Sequence, residues 1–210
     1  MTVNVNAVKD IRAFFGTSGS GKSHAIKETI KPEPRVLMFD PDGEYDKSEK
    51  FEVFNNPYEL AEAVEKAKTK FRFSLHTNGP DNFDMFCKIV AKKTEDGPLV
   101  AGVDELAGVE RSIAKADGIW HTLLSRGRKY ELKIRAGAQS PTEISKTLMR
   151  NRSHLWVGYM ERGDDWAYMA KETGLSVDDF KNLRPDPWFD SIMIMRSKQP
   201  VFNKRKKPTR

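Results

Sequence analysis

Short apolar runs alternate along this chain with stretches whose apolar residues return every three or four positions. Ile11–Phe15 reads as a buried strand, and the helical spacing that follows it runs to about Ile30, where Lys31-Pro-Glu-Pro34 ends it. Arg35–Asp40 (RVLMFD) predicts a second buried strand. Asn55-Asn-Pro57 opens a helix over PYELAEAVEKAKTK, and Phe71–His76 alternates as a strand. Asn82–Lys92 predicts a helix, Pro98–Asp104 a strand, Ile119–Tyr130 a helix and Leu132–Ala138 a strand. Glu143–Arg150 predicts a helix, His154–Tyr159 a strand, Asp164–Glu172 a helix and Trp188–Met195 a late strand, with Gly174–Pro187 as a connector. Strands separated by helices imply βαβ units: an α/β domain with a mostly parallel central sheet flanked by helices.

Composition narrows this picture. A chain of 210 residues suits one α/β domain with a sizeable core. No apolar run approaches the roughly 20 residues of a membrane helix, and the N-terminus has no apolar signal segment. A single cysteine, Cys87, excludes an intramolecular disulfide framework and cysteine-cluster zinc sites. The four histidines show no metal-ligand spacing, and a cytosolic setting fits. The net charge of +6 is uneven: the stretch from Arg196 onward carries seven basic side chains and no acidic one, which leaves residues 1–195 at −1. The reading is therefore a single domain over 1–195 and a basic tail over 196–210. Such a tail either binds phosphate backbones or simply solubilises.

The first strand runs into Gly16-Thr17-Ser18-Gly19-Ser20-Gly21-Lys22-Ser23, followed by His24. This fits G-x-x-x-x-G-K-[ST] in its required context, between a strand and a helix. Glycines let successive N–H groups turn toward an anion, and the helix offers its positive end to the same anion. Lys22 then reaches the β- and γ-phosphates of a nucleoside triphosphate and Ser23 offers a hydroxyl to Mg²⁺.

The run PLVAGVDEL places Asp104 at the end of an apolar strand, where a carboxylate is costly unless it faces a site. Asp104 fits the Mg²⁺-holding acid, partly through water, and Glu105 a general base for an attacking water. The strand Phe71–His76 lies between these two motifs, which suggests that an additional strand separates their strands in the sheet. Gln139 ends KIRAGAQ beside the acidic strand and fits either a glutamine that satisfies loop backbone groups or a sensor of the γ-phosphate. Arg126 and Arg128 precede that strand and fit an arginine finger offered to a neighbouring subunit, or simply basic residues near a helix C-terminus. There is no guanine-reading N/T-K-x-D motif, so ATP is the expected nucleotide.

Four features together carry a resemblance: GTSGSGKS, FDPDGEY at Phe39–Tyr45, VAGVDE, and the R-x-R…AGAQSP block. In this order they resemble the HerA/FtsK superfamily of P-loop ATPases, most closely the genome-packaging ATPases of tailless, membrane-containing phages. The resemblance implies a RecA-like domain of the additional-strand catalytic-glutamate type. It also implies a homo-oligomeric ring, commonly hexameric, that moves double-stranded DNA by ATP hydrolysis, in the host cytoplasm or at a capsid vertex with a capsid or portal partner. DNA contacts would then fall to Lys146, Arg150, Arg152, Lys204, Arg205, Lys206 and Lys207, through phosphates rather than bases. Asp40, Asp42 and Glu44 would tune the Mg²⁺ environment, form a subunit contact, or do neither as a solvated turn. Two alternatives remain at this point: an assembly or export ATPase of the Zot type, which usually carries a membrane segment, and a small nucleotide kinase, which needs a lid.

Overall fold

In the computed structural model, residues 4–196 and 198–204 are described. The strands are β1 (Asp10–Phe15), β2 (Arg35–Phe39), β3 (Glu52–Phe54), β4 (Phe71–Leu75), β5 (Leu99–Val103), β6 (Leu132–Ala138), β7 (His154–Val157), β8 (Ser191–Met195) and β9 (Val201–Asn203). They form one nine-stranded sheet in the order β3-β4-β2-β5-β6-β1-β7-β8-β9. Strands β1 to β7 are parallel, while β8 runs antiparallel to β7 and to β9. The helices are α1 (Lys22–Ile30), α2 (Pro57–Lys66), α3 (Pro80–Lys93), α4 (Gly118–Arg126), α5 (Lys146–Asn151), α6 (Gly163–Thr173) and α7 (Val177–Lys181).

Strand alternation sorts the apolar side chains onto two faces. Ala13, Phe15, Leu37, Phe39, Ala101, Val103, Leu155 and Val157 join one large core with residues of α2 to α7. Their neighbours in sequence, Phe14, Val36, Met38, Val100 and Trp156, point the other way and form a smaller cluster with Ile26 and Ile30 of α1 and with Tyr45 and Phe51. The sheet is thus thickly covered on one face and thinly on the other, where α1 is the sole helix of that cluster among the described residues. A fully buried Arg135 pins α1 to the sheet: its guanidinium donates to Thr29 Oγ1 on α1 (3.1 Å) and pairs with Asp10 of β1 (2.8 Å).

Three short elements extend the picture drawn from sequence. β3 and β9 are three-residue edge strands, too short to alternate visibly, and α7 occupies part of the expected connector. The late strand begins at Ser191, so Trp188 and Phe189 belong to the turn before it. An additional strand does separate β1 from β5, but it is β6; Phe71–Leu75 lies beyond β2 instead. Order along the chain does not give order across a sheet whose crossovers pass over neighbours.

Candidate active site

Parallel strands bring their C-terminal ends to one edge of the sheet. Phe15 is level with Ala138 and with Val157, and Val103 is level with Ala136. Three loops therefore meet there: Gly16–Gly21 after β1, Asp104-Glu105 after β5 and Gln139 after β6.

The loop after β1 is shaped by its glycines. Gly19 and Gly21 sit at φ 74° and 89°, in the left-handed region that side chains disfavour. Gly16 is excluded from substitution by crowding, since a Cβ there would stand 2.5 Å from Ser20 Oγ and 3.2 Å from the Tyr159 carbonyl. Thr17 N–H donates to that same carbonyl (2.9 Å), fixing the loop against the end of β7. Ser20 Oγ is buried and has no hydrogen-bond partner among the described residues.

Lys22, at the start of α1, is buried and points toward β5. Its Nζ donates to Asp104 Oδ1 (2.9 Å) and to the Asp104 carbonyl (3.0 Å), and lies 3.9 Å from Glu105 Oε2. Tyr45 Oη donates to the other Asp104 oxygen, Oδ2, at 3.0 Å. The tyrosine hydroxyl is held well above its ordinary pKa, first by burial and then by the negative charge of Asp104, so it stays a donor. Glu105 is pushed above the usual carboxylate range by burial, with Lys22 and the backbone N–H groups of Gln139 and Ala107 acting against the shift. Its Oε1 is buried without a partner among the described residues. A carboxylate so placed has one free oxygen and a raised affinity for a proton, the two properties a general base needs.

The acidic turn after β2 is organised around Asp40. Asp40 is fully buried and accepts from the N–H groups of Glu44 (3.1 Å) and Tyr45 (2.8 Å), and His76 Nε2 lies 3.0 Å from its Oδ2. Asp42 and Glu44 are exposed. The turn's product is the placement of Tyr45 against Asp104. Sequence reasoning weighed the acids of DPDGEY and missed the tyrosine, although its spacing from the strand end was visible.

Gln139 stands where β6 ends, exposed, with its backbone N–H at Glu105. The segment it begins is fastened on both sides. Ser140 Oγ and Thr142 Oγ1 donate to the buried Asp165 of α6 (2.6 and 3.1 Å). On the other side, Glu110, six residues beyond Asp104, accepts from Ser145 N–H and Oγ (2.7 Å each) and from Trp120 Nε1 (2.8 Å).

The remaining candidates lie elsewhere. Arg126 ends α4 and Arg128 lies in the following 3₁₀ turn, both exposed, before β6 begins at the opposite edge of the sheet. Neither meets Lys22. Lys146 and Arg150 are exposed on α5. Arg152 is not available in the same way: its guanidinium is half-buried, donates to the Met149 and Glu172 carbonyls and pairs with the Glu172 carboxylate at 3.5 Å. Helix-terminal geometry, invisible in a basic cluster read as letters, makes it a structural arginine. Lys204 follows β9, at the edge that holds the phosphate-type loop, while Arg205, Lys206 and Lys207 lie outside the described residues. No helix among the described residues is long and apolar enough to cross a membrane.

With this geometry in hand, comparison with known proteins is informative. A family model described as Helicase HerA, central domain, matches residues 2–180. Protein P9 of Pseudoalteromonas phage PM2 is 32% identical over 176 residues, covering 82% of this chain and 78% of that protein. The chain therefore belongs to the HerA central-domain family. Among solved structures, the genome packaging NTPase B204 from Sulfolobus turreted icosahedral virus 2, in complex with ATP-gammaS, matches with a TM-score of 0.74 at 15% identity, covering 93% of this chain and 97% of that one. VirB4 of Thermoanaerobacter pseudethanolicus matches with a TM-score of 0.64 at 12% identity, covering 93% and 89%. At these identities the likeness is one of fold, that of the P-loop NTPases.

Proposed function

We propose that the chain is an ATP-hydrolysing motor subunit that translocates double-stranded DNA, packaging a viral genome into its capsid as part of a homo-oligomeric ring. The observation that carries the hydrolytic half is the convergence of Lys22, Asp104 and Glu105, with one Glu105 oxygen buried and without a partner among the described residues. The genome-packaging half rests on family membership and on a fold shared with the packaging NTPase B204.

In this reading the N–H groups of Gly16–His24 and the Lys22 ammonium take the phosphates of ATP. Ser23 and Asp104 would hold Mg²⁺. A donor set of one hydroxyl and one carboxylate suits a hard cation that keeps most of its water, and the cation would neutralise charge developing on the phosphates. Glu105 takes a proton from the attacking water through Oε1. Gln139, beside Glu105, senses the γ-phosphate. One of Arg126 and Arg128, at the far edge of the sheet, serves the site of a neighbouring subunit. Lys146 and Arg150 on α5, with Lys204–Lys207, grip DNA phosphates without reading bases.

The test is steady-state ATP hydrolysis by the full chain, with and without long double-stranded DNA, at low and moderate salt. Stimulation by DNA that weakens as salt rises is expected. Robust hydrolysis indifferent to DNA would refute the translocase and leave an ATPase whose activator is a protein.

A further inference from the structure

The thinly covered face of the sheet holds a cleft of about 890 Å³ between α1 and the β8–β9 hairpin. Its position follows from strand direction. β8 starts, and β9 ends, at the edge where β1 and β7 end, because Val157 pairs with Ile192 and Ser191 with Asn203. The cleft is continuous with the phosphate-type loop, whose Ser20, Gly21 and His24 form one end of it. Trp156 and Met193 supply apolar wall from the sheet, and Asn203 and Lys204 supply polar groups at the rim.

Phe189 joins the two parts. A Cβ on Gly21 would lie 3.3 Å from Phe189 Cδ1, so the ring rests on the loop. Phe189 holds φ at 47°, a conformation costly for a bulky residue and found where the surroundings impose it. The surroundings here are a closed turn: Asp190 N–H donates to the Arg184 carbonyl (2.9 Å), and the Arg184 guanidinium grips the buried Asp190 carboxylate at 2.6 and 3.2 Å. A strained aromatic, locked in place and pressed against a phosphate-type loop, is a platform rather than core filling.

We propose that this cleft binds the nucleoside of the triphosphate, with Phe189 as the face on which the base packs. The proposal rests on the reading of Gly16–Ser23 as a phosphate loop and adds a site to it. A triphosphate held there must send its nucleoside out along one flank. The β5 flank carries Asp104 and Glu105; the β7–β9 flank carries an aromatic, polar-rimmed cleft of the size that small-molecule sites have. The wall built by β8 and β9 lies past residue 180, where the match to the family ends. The C-terminal segment, which the proposed function reads as a nucleic-acid arm, would begin as part of the nucleotide site.

The experiment is calorimetric titration of the full chain with ATP and, separately, with inorganic tripolyphosphate, which occupies the loop but not the cleft. Phe189→Ala should weaken ATP roughly 5- to 100-fold, the range for losing an aromatic partner of a base. It should leave tripolyphosphate unchanged, and Phe189→Tyr should restore ATP. Equal weakening of both ligands would reduce Phe189 to a support for the loop and overturn the proposal, as would unchanged ATP affinity. If the wild-type chain binds neither ligand, the phosphate-loop reading fails and takes this one with it. Photolabelling with 8-azido-ATP gives a readout independent of any variant: label in the peptide spanning 184–204 is expected, and label confined to other segments would overturn the assignment.

Discussion

Tyr45→Phe isolates one contact at the heart of the site. The substitution deletes the hydroxyl that donates to Asp104 Oδ2 at 3.0 Å and leaves the ring in place. The ring's other partners survive, namely Phe51 at 5.6 Å between centroids and Lys27 Nζ at 5.3 Å from the centroid. The loss is therefore a hydrogen bond to a charged acceptor, worth about 1.5–3 kcal/mol, because Asp104 Oδ2 is left in a buried setting without its donor. For a domain of this size that corresponds to a fall in Tm of roughly 3–12 °C. Urea unfolding of Tyr45→Phe, Asp104→Asn and the double variant would measure the coupling directly, with an expected interaction of about 0.5–3 kcal/mol. Additive single effects, or a Tyr45→Phe variant within about 0.5 kcal/mol of wild type, would refute the claim that the tyrosine holds the aspartate.

The other predictions concern the same edge of the sheet. Glu105→Gln should lower ATP turnover by about 10²- to 10⁴-fold while ATP binding persists; normal turnover would remove Glu105 from the role of base. Because burial raises the pKa of Glu105, the folded chain takes up its proton more readily than the unfolded one, so this carboxyl's contribution to stability is lost as pH rises through the folded pKa. Glu105→Gln should therefore melt no lower than wild type near neutrality, with any advantage gone by about pH 4, and a lower Tm at neutral pH would contradict the burial argument. Gly137→Ala should destabilise the chain by about 1–3 kcal/mol and weaken ATP binding, read by thermal melting and titration, because its methyl would meet the Asp104 carbonyl at 2.6 Å and Ile26 Cδ1 at 3.0 Å.

How much of this was legible beforehand depended on length and locality. The phosphate-type loop and Asp104 announce themselves because each ends an apolar run, and a carboxylate after such a run has to face something; Glu105 is read from its place beside Asp104, and Gln139 takes its suggested role from the family resemblance. The contact from Tyr45 to Asp104 joins residues far apart in sequence, so only the strand order β2-β5 brings them together. The same holds for Glu110 and Ser145. α7 did leave a signal: Ser176 and Asp179 form a capping box, the S-x-x-D spacing that opens short helices. β9 left none, since its three residues are exposed and sit among basic neighbours whose charge suggested a tail.

Register explains why the site has the depth it has. β5 stops level with Ala136, two residues short of the level at which β6 meets the end of β1. Asp104 thus lies beside Gly137, below the rim, and Glu105 one step higher, nearer the loop. A side chain on residue 137 would occupy the space of the aspartate backbone, so the glycine in AGAQ is there for Asp104 rather than for β6. Lys22 reaches down from the first turn of α1 to the lower acid at 2.9 Å and passes the upper one at 3.9 Å. The lower acid is consequently held on both oxygens, by a lysine on one and a tyrosine on the other, and its geometry is fixed. The upper acid keeps a buried oxygen without a partner among the described residues. Two adjacent carboxylates acquire different surroundings, one pinned on both oxygens and one left with an oxygen unpaired among the described residues, from a two-residue difference in where neighbouring strands end.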